Sequence, residues 1–227
     1  MKTLALIRGD IRFQYKYGFY LLYLLFSLLY IGLLFAFPAA WREKAAALMI
    51  FTDPAAMGLF FMGAIVLFEK NERVLDSLAV SPVKPWQYVA SKLVSIGLIS
   101  TLVSFAIGFT AGLATHPLRL AAGVFLSSCL FSAIGLIVAC GSKTLNQFML
   151  LTVPAEILIC VPAVLWLFWE TGWWMRLHPG AAAMELCLPQ GTTLLPLIVL
   201  FVWAAGFALL AVLAVKRMLL KLGGMKL

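Results

Sequence analysis

The sequence predicts an all-α, polytopic membrane protein with six transmembrane helices. Three observations carry this. The 227 residues are 64% hydrophobic and only 11% charged, whereas a soluble domain carries about a quarter charged residues. Long runs contain almost no charge: 18–37, 54–68, 93–115, 120–142, 145–169 (interrupted only by Glu156) and 192–215. Most of these exceed the roughly 20 residues a helix needs to cross a hydrocarbon core. Finally, 13 of the 17 Lys and Arg fall in alternate inter-span segments, so the positive-inside rule places both termini in the cytoplasm, in agreement with an even number of spans. A barrel is excluded because its strands are about 10 residues long and alternate apolar with polar. The net charge of +8 would suggest nucleic acid in a soluble protein; here its distribution reads as membrane orientation, and no nucleic-acid partner is expected.

Residues 2–17 read as an interfacial helix. Leu4, Ile7, Ile11 and Tyr15 fall in one stripe bordered by Arg8, Arg12 and Lys16, which suits acyl chains on one flank and anionic head groups on the other. A solvated basic arm is the alternative. The apolar patch 4–7 is too short for a signal-peptide core, so the first span is expected to act as an uncleaved anchor. Pro38 to Lys44 follows as an outer loop, with Trp41 at interfacial height.

In the second span, Asp53-Pro54 has the form of a helix N-cap followed by a first helical residue. A helix starting there is only 15 residues long to Phe68, short for a crossing. Either the helix is kinked with 45–51 above it, or Asp53 occupies a wet recess on the translocation path. The third and fourth spans, joined through Thr115-His116-Pro117, form an antiparallel hairpin. Gly108 and Gly112 in the third, and Ser128, Ser132 and Gly135 in the fourth, supply small residues for close helix packing. Glu156, flanked by Pro154 and Pro162, is a second candidate for the translocation path, because an intramembrane carboxylate must be relieved by a partner or water; a protonated, hydrogen-bonded Glu is the alternative. Segment 170–191 carries Trp173, Trp174, Met175 and Leu177 and reads as an outer interfacial or re-entrant segment, with a short helix begun by Pro179 and ended before Pro189.

Catalytic chemistry is not visible. There is no HExxH, GxSxG, CxxC or paired-carboxylate constellation. His116 and His178 read as loop residues, and Cys129, Cys140, Cys160 and Cys187 as packing residues. The stretch 135–144 departs from GxxxxGK[ST], because Lys143 does not directly follow the second Gly and no strand precedes it. No metal or cofactor is expected, and ATP hydrolysis would have to come from another chain.

The cytoplasmic loop 69–88 is the most informative stretch. Glu69 and Arg73 stand at i, i+4 and Arg73 and Asp76 at i, i+3; Val74, Leu75 and Leu78 form an apolar knob; Ser81-Pro82 ends the helix. A short helix with a polar flank and a small apolar face suits docking in another protein's groove.

This pattern resembles the permeases of type-2 ABC exporters. Glu69, Glu72, Arg73, Leu75, Leu78, Ser81, Pro82 and Lys92 match the first cytoplasmic loop of that family, and Asp53-Pro54 with Phe68-Glu69-Lys70 look most like its fluoroquinolone-export subgroup. The resemblance implies a single permease domain over 1–227 in the cell membrane. It also implies two permease chains, identical or closely paralogous, each resting on a separate ATPase subunit that carries the ATP. Export of an amphipathic drug, lipid or peptide is the leading expectation. The alternatives are an intramembrane enzyme acting on lipid, with Asp53, Glu156 or Glu185 as acid or base, and a non-transporting scaffold or immunity protein.

Overall fold

The computed structural model describes residues 2–112, 116–169 and 172–222. Among them there is no strand. The helices are α1 (Lys2–Lys16), α2 (Phe19–Ala36), α3 (Ala39–Asp53), α4 (Leu59–Asn71), α5 (Val74–Ala79), α6 (Pro85–Ala111), α7 (Pro117–Gly141), α8 (Leu145–Phe168), α9 (Pro179–Cys187) and α10 (Leu194–Leu222). A π-helical turn, Pro54–Gly58, joins α3 to α4, and a 3-10 turn, Trp173–Leu177, precedes α9. Six of these are long and apolar enough to cross a membrane: α2, the continuous α3–α4 unit, α6, α7, α8 and α10. The protein is therefore an all-α, multi-pass membrane protein.

The second span is where the structure departs most from the expectation. Asp53 is not an N-cap: its backbone is helical, at φ −60° and ψ −58°, and its side chain caps nothing. Ala39–Asn71 forms 33 residues of helix, about 50 Å at the usual rise, so 45–51 lies in the same rod as 59–71. Proline in mid-helix withholds an N–H and presses its ring on the preceding turn. The chain absorbs this by widening one turn to i→i+5, a local device that keeps the rod continuous.

α7 is the centre of the bundle, packed by α4, α6 and α10. Phe131, Ala133 and Leu136 on it are completely buried. Small residues set this packing, as the sequence suggested. A methyl group added to Gly135 would stand 2.5 Å from the Leu59 carbonyl oxygen, so α7 and α4 touch backbone to backbone there. Gly112 has a different job from the expected helix contact: its φ of +73° ends α6 in the left-handed conformation, with nothing nearby for a side chain to touch. α6 and α7 pack as the expected hairpin, while Thr115 of its turn lies outside the described residues, as do Met1 and 223–227 at the termini.

By contrast α2 is peripheral, burying only Tyr23, Ser27 and Leu34, and α8 buries only five side chains. α1 packs on α6 through Asp10 and Gln14 rather than through the predicted apolar stripe. Within that stripe Leu4 and Tyr15 are exposed, at 73% and 77%, and Ile7 and Ile11 are half-buried. Every residue of α9 is buried, packed by α3, α7, α8 and α10; residues 170 and 171 of the predicted re-entrant segment lie outside the described residues. His178 caps α9 by accepting from the Gly180 N–H at 3.2 Å, and Pro179 is its first residue.

Candidate functional site

The loop from α4 to α6 is built on a buried ionic knot. Lys92, 1% exposed on α6, donates to Asp10 of α1 at 2.7 Å and to the Glu69 carboxylate at the end of α4. The Tyr88 hydroxyl, one helical turn before Lys92, donates to the other Glu69 oxygen at 2.5 Å. Beside it, the Lys70 ammonium donates to the carbonyls of Ala139, Cys140 and Ser142 at 2.6–3.1 Å. It thus satisfies the orphan acceptors that end α7. Phe13 and Tyr17 add ring contacts to Phe68, at 5.6 and 4.6 Å. α1, α4, α6 and α7 are therefore fastened together at the base of the loop.

This knot replaces the expected Glu69–Arg73 pair. Glu69 is committed to Lys92, and no ion pair involves Arg73 among the described residues. The reason is the backbone: Arg73 has φ +55°, the one positive φ of a non-glycine residue among those described, so the helical i, i+4 spacing is broken between α4 and α5. Glu72, Arg73 and Asp76 are exposed. Ser81 ends α5 as expected, donating to the Leu78 carbonyl at 2.8 Å, and Pro82 is exposed beyond it.

The apolar knob divides. Val74 is 47% exposed and Leu78 half-buried, but Leu75 is only 1% exposed, turned into the protein because α5 lies across α10. Leu75 is thus a core residue and is not presented to a partner, which corrects its reading as a free anchor. The exposed apolar side chains at this place are Val74, Val80 and Trp86, at 47%, 85% and 51%. A cleft of about 580 Å³ lies between α5, the end of α7 and α10, lined by Leu75 and Asp76 together with Lys143, Arg217 and Lys221.

A second polar assembly occupies the middle of the bundle. Asp53, at the end of α3, is completely buried beside Ser100 of α6. Ser100 is 3.4 Å from both the Tyr23 hydroxyl of α2 and the Ser128 hydroxyl of α7. Glu156 stands apart, half-buried on α8. Glu185 is buried on α9 and accepts from the Thr192 N–H at 3.1 Å and the Thr192 hydroxyl at 2.5 Å. Next to that loop, Arg119 donates to the carbonyls of Gly191, at 2.5 Å, and Leu188. No hydrogen bond joins any two of Asp53, Glu156 and Glu185 among the described residues. His, Cys, Asp and Glu form no group of three there that could hold a metal.

Sequence reasoning missed Asp10, Tyr88 and the Lys70 clamp. The signal for the first was present: Asp10 is the one acid in a basic helix, and Lys92 the one cation of α6.

Residues 1–223 match the fluoroquinolones export permease protein family. The chain belongs to that family. Two relatives, the fluoroquinolones export permease proteins of Mycobacterium tuberculosis strains CDC 1551 / Oshkosh and ATCC 25618 / H37Rv, are each 29% identical to it over 140 residues. That match covers 61% of this chain and 59% of the relative's length. Membership of this permease family agrees with the multi-pass architecture described above.

Proposed function

We propose that this chain is the membrane-spanning subunit of an ATP-driven exporter of amphipathic compounds, resting on a separate ATPase subunit and paired with a second permease chain. The observation that carries the reading is the ionic knot under α5. A force applied to α5 passes through Glu69 and Lys92 into two spans at once, and a partner that grips it therefore moves α4 and α6 as levers. The gripped surface is the one left exposed: Val74, Val80 and Trp86 as apolar contacts, with Glu72, Arg73, Asp76 and Pro82 around them and the half-buried Ser81 at its edge. α1 lies at the membrane surface with Leu4 and Tyr15 among acyl chains. The sparsely buried α2 and α8 supply the faces for lipid and for the second permease. Both termini and α5 are cytoplasmic in this reading, where the ATPase would meet them.

Val80→Asp tests it, since the side chain is 85% exposed and the change leaves the fold alone. Loss of an interface anchor costs about 2 kcal/mol or more, so co-purification with the proposed ATPase subunit should fall about thirtyfold or further. Undiminished recovery of the complex, with substrate-stimulated hydrolysis intact, would sink the role of this face. Leu75→Asp would be uninformative, because it buries a charge in the permease itself.

A further inference from the structure

Asp53 is a buried carboxylate with no cation paired to it among the described residues. It is 0% exposed, and neither of its oxygens makes a hydrogen bond although Ser100 is beside it. Its own helix offers no donor, since Pro54 has no N–H. One turn along α6 and one turn along α7, the hydroxyls of Ser104 and Ser132 are buried without partners as well. The two hydrogen bonds that do form here, from Ser128 to Ser100 and between the Tyr23 and Ser100 hydroxyls, are both 3.4 Å, at the long limit for a hydroxyl. The cluster is polar, loosely joined and short of a positive charge.

Of the titratable groups on the surrounding elements, only Tyr23 of α2 is drawn in. The cations of α6, α7 and α4, which are Lys92, Arg119 and Lys70, are bonded at the two ends of the bundle. Tyr88 of α6 is bonded to Glu69 and Glu185 of α9 to Thr192; Cys129 and Cys140 of α7 and Cys187 of α9 are free thiols. Towards α2 the wall changes from hydroxyl to aromatic. Tyr23, Met57 and Ile99 form a small buried cluster of their own, flanked by Tyr20, Phe26 and Phe61, and Phe61 meets Tyr23 edge-on at 5.3 Å. Met57 belongs to the π-turn that follows Asp53.

An ionised carboxylate removed from water, with no cation beside it, is costly, so this closed arrangement favours the neutral acid. A carboxyl group walled by aromatic rings, methionine and hydroxyls has the chemistry to receive an organic cation: the carboxylate meets the charge and the rings meet the apolar bulk and the positive edge. We infer that Asp53 is the counter-charge for amphipathic organic cations, which take the place of its proton when α2 parts from α6 and the π-turn. The exchange breaks the carboxyl O–H, releases the proton to water and leaves a carboxylate paired with the cation; no electron moves. This rests on the export reading and specifies its substrate class.

The experiment measures binding alone, on the purified permease in lipid nanodiscs, with tetraphenylphosphonium as the probe and neutral triphenylphosphine oxide as its control. Wild type should release about one proton per phosphonium bound, read with a pH-indicator dye. Its protonated-carboxyl infrared band should fall as the site fills, a readout that needs no variant. Asp53→Asn, which has the shape of the protonated acid, should bind phosphonium about tenfold or more weakly and the neutral oxide as wild type does. Phosphonium binding without proton release, equal affinity in Asp53→Asn, or no phosphonium binding by wild type overturns the assignment. None of these arms uses the ATPase, so failure of ATPase association would remove the export reading while leaving the binding result to stand or fall separately.

Discussion

At the residue scale, Lys92 decides most. Its ammonium is shared between Asp10 and Glu69 in a place where its own side chain is 2% exposed. Removing one member of a buried ionic group strands the others without compensation, at a cost of about 3–5 kcal/mol. Lys92→Met should lower stability by that amount in denaturant unfolding from micelles. Adding Asp10→Asn and Glu69→Gln should restore most of it, because the stranded charges are then gone. A triple variant no more stable than the single one would mean that the knot acts through packing and not through charge. The sequence makes Lys92 conspicuous but leaves its partners open: Asp10 and Glu69 are 82 and 23 residues away, and only the way α1 folds back on α6 brings all three together.

At the scale of elements, the legible features were those with a long apolar signal or a terminating residue. All six spans, the short α9 between Pro179 and Pro189, and the stop at Ser81 follow from local chemistry. Three features were illegible for definite reasons. Asp53-Pro54 has the same letters whether it opens a helix or sits inside one; the apolar residues on both sides, joined by a π-turn, settle the matter in favour of the continuous rod. In α5, Val74, Leu75 and Leu78 look alike in a six-residue helix, and it is α10 beneath that takes Leu75 and leaves Val74 outside. In α1, the side chains that bond to α6 are the polar Asp10 and Gln14, so a search for an apolar stripe passes over them. Close helix contact can be tested at Gly135. Because a β-carbon would meet the Leu59 carbonyl at 2.5 Å, Gly135→Ala must push α4 from α7, at a cost of about 1–3 kcal/mol for an overpacked core. A lowered thermal midpoint in detergent is the expected result; an unchanged one would show that the two helices slide apart freely.

For the whole molecule, the distribution of charge sets which way the bundle faces. The 13 to 4 division of Lys and Arg predicts positions 84 and 143 inside the cell and positions 44, 116 and 174 outside. Single cysteines placed there in a cysteine-free background, labelled from outside in sealed cells, should react only at the latter three. Strong labelling at 84 or 143 would invert the arrangement and with it the proposed ATPase contact.

The pairing of Glu69 with Lys92 has one more consequence. Those residues bound a stretch of chain whose ends are already joined, so α5 is carried on a closed ring. The loop-closure entropy has been met in folding. A docking protein then finds its target pre-organised, and little of the contact energy is diverted into ordering the segment.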